Sequence, residues 1–235
     1  MSVNTYEFIV GGILPYLAVL TFVVGMAYRF KVWFKTPQPA RMTLFPAPQG
    51  STAKAVLAEA LFFPSLFKGD KLLWCASWVF HATLVLVFVG HVRVFTGLAD
   101  SIMLAVGMTK ATIDKVSVTS GVAAGVILLA SAILLLARRL AFTRVREISG
   151  VGDFVALLLL LGILVTGDLL RFGPHFDLAQ TREWAWSLLS FSPVVPHNPT
   201  FLVHALLALL LVAYIPFSKV LHFGGIFFSQ SALRR

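Results

Sequence analysis

Five long apolar stretches constrain this chain more than any other feature of its 235 residues. They cover residues 8–28, 72–97, 115–137, 151–170 and 199–223. A helix needs about 20 mostly apolar residues to cross a bilayer, and lipid offers the backbone no water, so each stretch predicts a membrane-spanning helix. A composition that is 58% hydrophobic and 12% charged also excludes a soluble enzyme of this size. We therefore predict an all-α integral membrane protein with five transmembrane helices.

The distribution of Lys and Arg predicts how these helices are oriented. Fourteen of the nineteen basic residues lie between the first two spans, in the turn after the third span, or at and beyond the end of the fifth. The positive-inside rule makes these segments cytoplasmic, which places the N-terminus outside and the C-terminus in the cytoplasm. The net charge of +9 is therefore interpreted as topology and not as nucleic-acid binding. The first residues lack the basic region of a secretory signal.

The pattern predicts a single membrane domain over residues 1–235, with a cytoplasmic connection at 29–71 and an outer loop at 171–198. Four prolines predict an extended segment at 36–50, and residues 52–63 are typical of a short amphipathic helix on the inner surface. The tryptophans of the outer loop are typical of membrane-interface anchors. A loop cap without chemistry is the simpler interpretation of that region.

Four of the six histidines lie inside predicted spans: His81 and His91 in the second, His204 and His222 in the fifth. Ionisable residues inside a bilayer are costly and indicate function. Because the two helices run in opposite directions, His91 and His204 share one depth and His81 and His222 share another. In a regular helix, the 18 residues of the fifth span return to one face, whereas the 10 of the second leave the rings about 80° apart. The second helix therefore needs a bend, or the two bound groups must tilt.

Two imidazoles facing each other at each of two depths favour bis-histidine ligation of two b-type haems. Zinc matches less well, because it takes about four ligands around one centre. Packing histidines or a proton relay stay open, although such relays usually include a membrane carboxylate, and Asp153 and Asp168 lie at the two ends of the fourth span. The single cysteine, Cys75, cannot form an internal disulfide or an iron–sulfur site and is interpreted as a small buried apolar residue.

Two segments carry a family resemblance: WVFHATLVLVFVGHVRVF (78–95) and FLVHALLALLLVAYIPFSKVLHF (201–223). They closely resemble the second and fifth helices of the gamma-subunit family of respiratory nitrate reductase. The resemblance covers most of residues 70–223, including SGVAAGVILLASAILLLARRL in the third span. It implies a multi-pass dihaem cytochrome b of a prokaryotic cytoplasmic (inner) membrane, which exchanges electrons with quinone. On this resemblance His81, His91, His204 and His222 are the haem iron ligands, paired as the topology requires.

The first cytoplasmic connection is longer than in the nitrate reductase subunit. Its segment LFFPSLFKGDKLLW (61–74) is similar to the branch that works with iron–sulfur proteins of the heterodisulfide-reductase type, best known from the Dsr complex of sulfite reduction. This branch implies two haems b, quinone as exchangeable substrate, a cytoplasmic iron–sulfur partner, and further membrane and extracytoplasmic redox subunits. The alternatives are the gamma subunit of nitrate reductase itself and, from another class, a haem-free membrane anchor or transporter.

Several residues near the outer haem are candidate contacts. A quinone site is expected beside the His91/His204 pair, with Gly90 allowing close approach and Lys115 donating to a quinone oxygen; an ordinary interface lysine is the alternative. Arg93 and Arg171 are candidates for the haem propionates or for lipid headgroups.

Three further features carry weaker hypotheses. His175 and His197 lie in the outer loop without a partner at matching depth, and we expect them to be solvated or hydrogen-bonded, or to relay protons. Gly121 and Gly125 predict close helix packing in the third span. The basic inner side doubles as a candidate docking surface for a partner.

Overall fold

The computed structural model describes residues 4–36, 51–173, 177–225 and 227. All regular structure in these residues is helical, without strands. Five helices are long and apolar enough to cross a membrane, and we number them as the first to fifth spans: Thr5–Lys35, Lys71–Phe95, Lys110–Ala141, Val151–Phe172 and Pro199–Phe217. The predicted all-α membrane fold with five spans is confirmed, and the orientation of its ends stays a prediction.

Shorter helices connect the spans: Thr52–Phe62, Pro64–Gly69, Leu98–Ala105, Thr143–Glu147 and Leu178–Leu189. The first agrees with the short helix predicted at 52–63, whereas nearly all of the proline-rich segment 36–50 lies outside the described residues. The connection predicted as an outer loop at 171–198 contains a helix that the sequence analysis did not predict, Leu178–Leu189, here named the cap helix. Asp177 begins this helix by accepting two backbone N–H groups of its first turn, an N-cap signal that the sequence contained.

Polar side chains begin four of the spans. Asn4, Asp70, Thr109 and Asn198 each accept the backbone N–H three residues further on. The first turn of a helix has no intrahelical acceptor for these groups, and an unsatisfied N–H near lipid is costly. The caps therefore determine where the first, second, third and fifth spans begin.

The five spans pack in an open arc. The second packs on the third, the third on the fourth, the fourth on the fifth, and the fifth on the first. Among the described residues, the second span makes no extensive backbone contact with the fifth or the first. The second span, and the fifth span with the segment that follows it to His222, therefore face each other across a gap instead of packing together.

Two apolar clusters hold the arc together. One joins Phe80, Leu128, Ala132 and Leu164 of the second, third and fourth spans. The other joins the first, fourth and fifth spans near the cap helix, through Val10, Leu170, Val195, Phe201 and Leu202. Much of the remaining apolar surface is exposed, above all on the second span, as expected of helices that face lipid.

The glycines of the third span pack closely, as predicted. A side chain at Gly125 would collide with the Asp168 carboxylate, and one at Gly121 would lie 3.2 Å from the Arg171 guanidinium. Gly125 thus provides the space in which the buried Asp168 lies. The prediction that Cys75 is buried was wrong, since the second span leaves it exposed.

The fifth span is not the continuous helix predicted for 199–223. Its α-helix ends at Tyr214, and two short 3₁₀ turns, Ile215–Phe217 and Lys219–Leu221, follow on either side of Ser218. Pro216 has no N–H to donate to the helix, and Ser218 has an extended backbone with φ −123° and ψ 169°. His204 and His222 are therefore not related by one regular helix, and the expectation that 18 helical residues return them to one face does not apply.

Candidate functional site

The four membrane histidines meet as the two pairs that opposite helix directions predict. The ring centres of His91 and His204 lie 6.3 Å apart with 13° between the planes. Those of His81 and His222 lie 5.8 Å apart with 88° between the planes. The second span is one unbroken α-helix through both of its histidines. The structure brings the rings together, while their role as iron ligands stays a prediction.

Each ring has its Nδ1 atom at hydrogen-bond distance from a backbone carbonyl. The acceptors are the oxygens of Ser77 for His81 (2.7 Å), Val87 for His91 (2.7 Å), Ile163 for His204 (3.0 Å) and Lys219 for His222 (2.9 Å). A carbonyl can only accept, so Nδ1 carries the proton. In a neutral imidazole this leaves Nε2 with a lone pair, which is the form that binds a metal.

The ring separations match two imidazoles on opposite sides of one metal. If each nitrogen lies about 2 Å from the metal and about 1 Å from its ring centre, the two ring centres are about 6 Å apart. The observed separations are 5.8 and 6.3 Å. Each pair offers two histidine rings to one centre, and no group of three or more His, Cys, Asp or Glu that could hold a metal ion is present among the described residues.

The surroundings of the two pairs differ. His204 is half-buried, and Thr166 places its hydroxyl 3.1 Å from the same Nδ1 atom. His91 is exposed, and a side chain at the neighbouring Gly90 would meet nothing within 4 Å. The space beside the His91/His204 pair is therefore open to a planar group or to a molecule from the membrane.

Sequence reasoning missed the aromatic enclosure of His81. The rings of Phe63 and Phe80 each lie 5.2 Å from the His81 ring, edge-on. Phe63 has a left-handed backbone, with φ 51° and ψ 48°. The indole N–H groups of Trp74 and Trp78 donate to the carbonyls just before it, at 2.7 and 3.1 Å. The Trp residues of the second span thus hold the connection that covers His81.

The other candidate residues near the outer pair have mixed outcomes. Lys115 is exposed and lies inside the third span, because that helix begins earlier than predicted. Arg93 donates to both carboxylate oxygens of Asp100, at 2.7 and 3.1 Å, and forms an ion pair with Asp114 at 3.4 Å. A propionate would have to compete with these carboxylates for Arg93. Arg171 is half-buried.

The cap helix closes the end of the bundle nearest His91 with side-chain hydrogen bonds to span backbones. Arg182 donates to the Arg93 carbonyl at 2.6 Å, Trp186 to that of Phe95 at 3.0 Å, and Trp184 to that of Gly11 at 2.7 Å. Gly11 lies in a π-helical stretch of the first span, Ile9–Ile13. These bonds make the tryptophans anchors of the bundle itself.

A charged cavity of about 800 Å³ opens beside the cap helix, lined among others by Arg93, Lys110 and His197. His197 has a partner that the sequence did not reveal, since its Nδ1 lies 3.0 Å from a carboxylate oxygen of Glu7. His175 lies outside the described residues.

Comparison with known proteins identifies the family. Residues 64–231 match the nitrate reductase gamma subunit family. The chain is 32% identical to the "Hdr-like menaquinol oxidoreductase cytochrome b-like subunit" of Archaeoglobus fulgidus, over 95% of this chain and 78% of that protein. It is 28% identical to the protein of the same name from Archaeoglobus profundus, over 93% and 76%. It is 26% identical to the nitrate reductase gamma chain of Bacillus subtilis, over 91% and 89%.

These findings agree with the resemblance in the second and fifth spans. The five apolar helices and the membrane cytochrome relatives make the chain a multi-pass protein of a prokaryotic inner membrane. The chain belongs to the nitrate reductase gamma subunit family.

Proposed function

We propose that this chain is the dihaem cytochrome b subunit of a membrane quinone oxidoreductase complex. It transfers electrons between the membrane quinone pool and a cytoplasmic iron–sulfur partner of the heterodisulfide-reductase type, in sulfur metabolism. The observation that carries the proposal is the pair of facing imidazoles at each of two levels, every one with its Nδ1 proton held by a backbone carbonyl.

The chain's own residues prepare the ligands. The carbonyls behind the four rings hold the Nδ1 protons, orient the imidazoles and leave the Nε2 lone pairs for iron. Iron bound between two imidazoles in a haem supplies a one-electron redox centre. The gap between the second and fifth spans is where such planar groups would lie, with His81/His222 as the inner pair and His91/His204 as the outer pair.

The outer pair is the proposed neighbour of the quinone. The names of two relatives include menaquinol oxidoreductase, and the open side of Gly90 leaves room beside His91. Lys115 is the candidate donor to a quinone oxygen. The charged cavity beside the cap helix would give protons a polar route to the outer aqueous phase.

The proposed orientation places the basic segments and the inner pair toward the cytoplasm, where the iron–sulfur partner would dock. The "Hdr-like" names of two relatives support this partner class. The gamma subunit of nitrate reductase is the second candidate, supported by the Bacillus subtilis relative. Co-purification separates the two: an iron–sulfur subunit of the heterodisulfide-reductase type supports the first, and a molybdenum subunit supports the second.

The first test is a dithionite-reduced minus oxidised spectrum of the purified chain, with haem quantified as the pyridine adduct. We expect about two b haems per chain, falling to about one in His91→Ala and in His222→Ala. His197→Ala is the matched control, since His197 bonds Glu7 and faces no second histidine ring within the described structure, and it should keep both haems. No b-type signal from haem-supplied membranes would refute the proposal and leave a haem-free anchor or transporter.

A further inference from the structure

The segment that carries His222 is held in place by the first and fourth spans. It begins where the fifth α-helix ends, at Tyr214. Arg29 of the first span donates through Nε to the Pro216 carbonyl at 2.6 Å. In a continuous α-helix the Val220 N–H would donate to the Pro216 carbonyl. The extended backbone of Ser218 prevents this bond, and the Arg29 side chain donates to the carbonyl instead.

Lys219 lies at the centre of this segment and has two roles. Its backbone carbonyl accepts the Nδ1 proton of His222 at 2.9 Å. Its ammonium group donates to Oδ2 of Asp153, at the start of the fourth span, at 2.7 Å. The residue that orients the ring is thus itself tethered to a different helix.

Asp153 is a rigid anchor for that tether. Its side chain is only 6% exposed, and the same Oδ2 accepts the Gly150 N–H at 2.9 Å. Arg139 of the third span lies 3.6 Å from this oxygen, and its guanidinium also donates to Ser149 at 2.6 Å. Asp153 therefore links the third and fourth spans to the segment before His222.

We propose that Asp153 is a positioning residue for the inner haem, acting through Lys219 on the His222 ligand. This inference rests on the proposed ligation of haem by His222. When the ion pair is lost, the Lys219 carbonyl is free to move, and the ring loses its defined direction. The Lys219 side chain is 75% exposed, whereas that of Asp153 is 6% exposed. Removing the exposed ammonium group in Lys219→Met should change folding stability little, so in that variant the effect should appear at the haem and not in the overall fold.

The test compares Asp153→Asn, Lys219→Met and the double variant with the wild-type protein carrying both haems. The readouts are the electron paramagnetic resonance signal of each oxidised haem and the rate at which haem is lost to apomyoglobin. The inner signal is the one that His222→Ala lacks. We expect each single variant to shift that signal and to lose inner haem about tenfold faster, since groups behind metal ligands typically change affinity by about 10- to 100-fold. The double variant should lose it no faster than either single variant.

Asp70→Asn is the matched control, because Asp70 also caps a span and pairs with an arginine, Arg138 at 3.1 Å, but does not bond Lys219. It should leave the inner signal unchanged. Lys219→Met decides the question if Asp153→Asn fails to fold. Two haems with unchanged inner signals and loss rates in Lys219→Met would overturn this inference alone. Fewer than two haems in the wild-type protein would overturn the proposed function, and the inference with it.

Discussion

Gly25 is a position where one methyl group should disturb the inner histidine pair. A Cβ atom at Gly25 would lie 2.7 Å from Cβ and 2.9 Å from Cγ of Pro216. Carbon atoms in contact prefer about 3.5–4.0 Å, so the first and fifth spans would have to separate by about 1 Å. The proline ring is rigid and cannot rotate away. Gly25→Ala should therefore lower the free energy of unfolding by about 1–3 kcal/mol, the usual range for overpacking a core.

The displacement should reach His222, because Pro216 lies in the irregular segment before it. We expect Gly25→Ala to lower the thermal unfolding midpoint, measured by circular dichroism in detergent. It should also lower the haem content from about two toward about one per chain, with the loss confined to the haem that His222→Ala removes.

Gly69→Ala is the control for this prediction, since a side chain there would meet nothing within 4 Å. It should keep the wild-type midpoint and both haems. If Gly25→Ala matched Gly69→Ala in both measurements, the close contact between the first and fifth spans would be refuted. If Gly25→Ala lost the haem that His91→Ala removes instead, the expectation that the displacement acts through Pro216 on His222 would be wrong.

Three further predictions follow from single contacts. Thr166→Val removes the hydroxyl beside His204 Nδ1, so a redox titration should show a changed potential for the outer haem only; equal shifts in both haems would contradict this. Trp184→Phe removes the donor to the Gly11 carbonyl and should lower the free energy of unfolding, measured by denaturant titration, by about 1 kcal/mol. An unchanged midpoint would mean that this bond does not stabilise the cap helix against the first span. Hydrogen bonds from the Leu73 N–H and from Arg138 hold the pKa of Asp70 below its ordinary value. The ionised carboxylate therefore stabilises the folded protein fully above about pH 4, and this stabilisation is lost as the pH falls through the lowered pKa. As the pH is lowered from about 5, the unfolding midpoint of Asp70→Asn should accordingly fall less than that of the wild-type protein. If the two midpoints fell in parallel, ionised Asp70 would not contribute to folding stability.

The five spans and the pairing of the histidines could be predicted because the bilayer restricts the possible structures. Lipid offers no hydrogen-bond partners, so the backbone N–H and C=O groups of each long apolar stretch must bond within the protein. An α-helix makes these bonds within a single stretch. Once the second and fifth helices run in opposite directions, the depths of His81, His91, His204 and His222 follow from their positions along the chain. The same reasoning predicted close packing at Gly125 from a small-residue pattern.

The cap helix could have been predicted in part. Asp177 before an apolar and polar mixture is an N-cap signal, but the tryptophans of this region suggested interface anchors. That Trp184 donates to a π-helical stretch of the first span depends on which helices are neighbours. The partnership of His197 with Glu7, far apart in sequence, has the same origin.

By itself, the sequence determined the membrane fold, the number of spans and which histidines meet. The length of each apolar stretch predicts a spanning helix, and the order of the spans along the chain gives the direction of each helix. Only the tertiary structure decided how His222 is presented. A proline inside a membrane helix is tolerated when neighbours satisfy the freed backbone groups. Whether the fifth span continued or broke therefore depended on Gly25 and Arg29 of the first span and on Asp153 of the fourth. Their contacts with Pro216 and Lys219 exist only once the helices have packed.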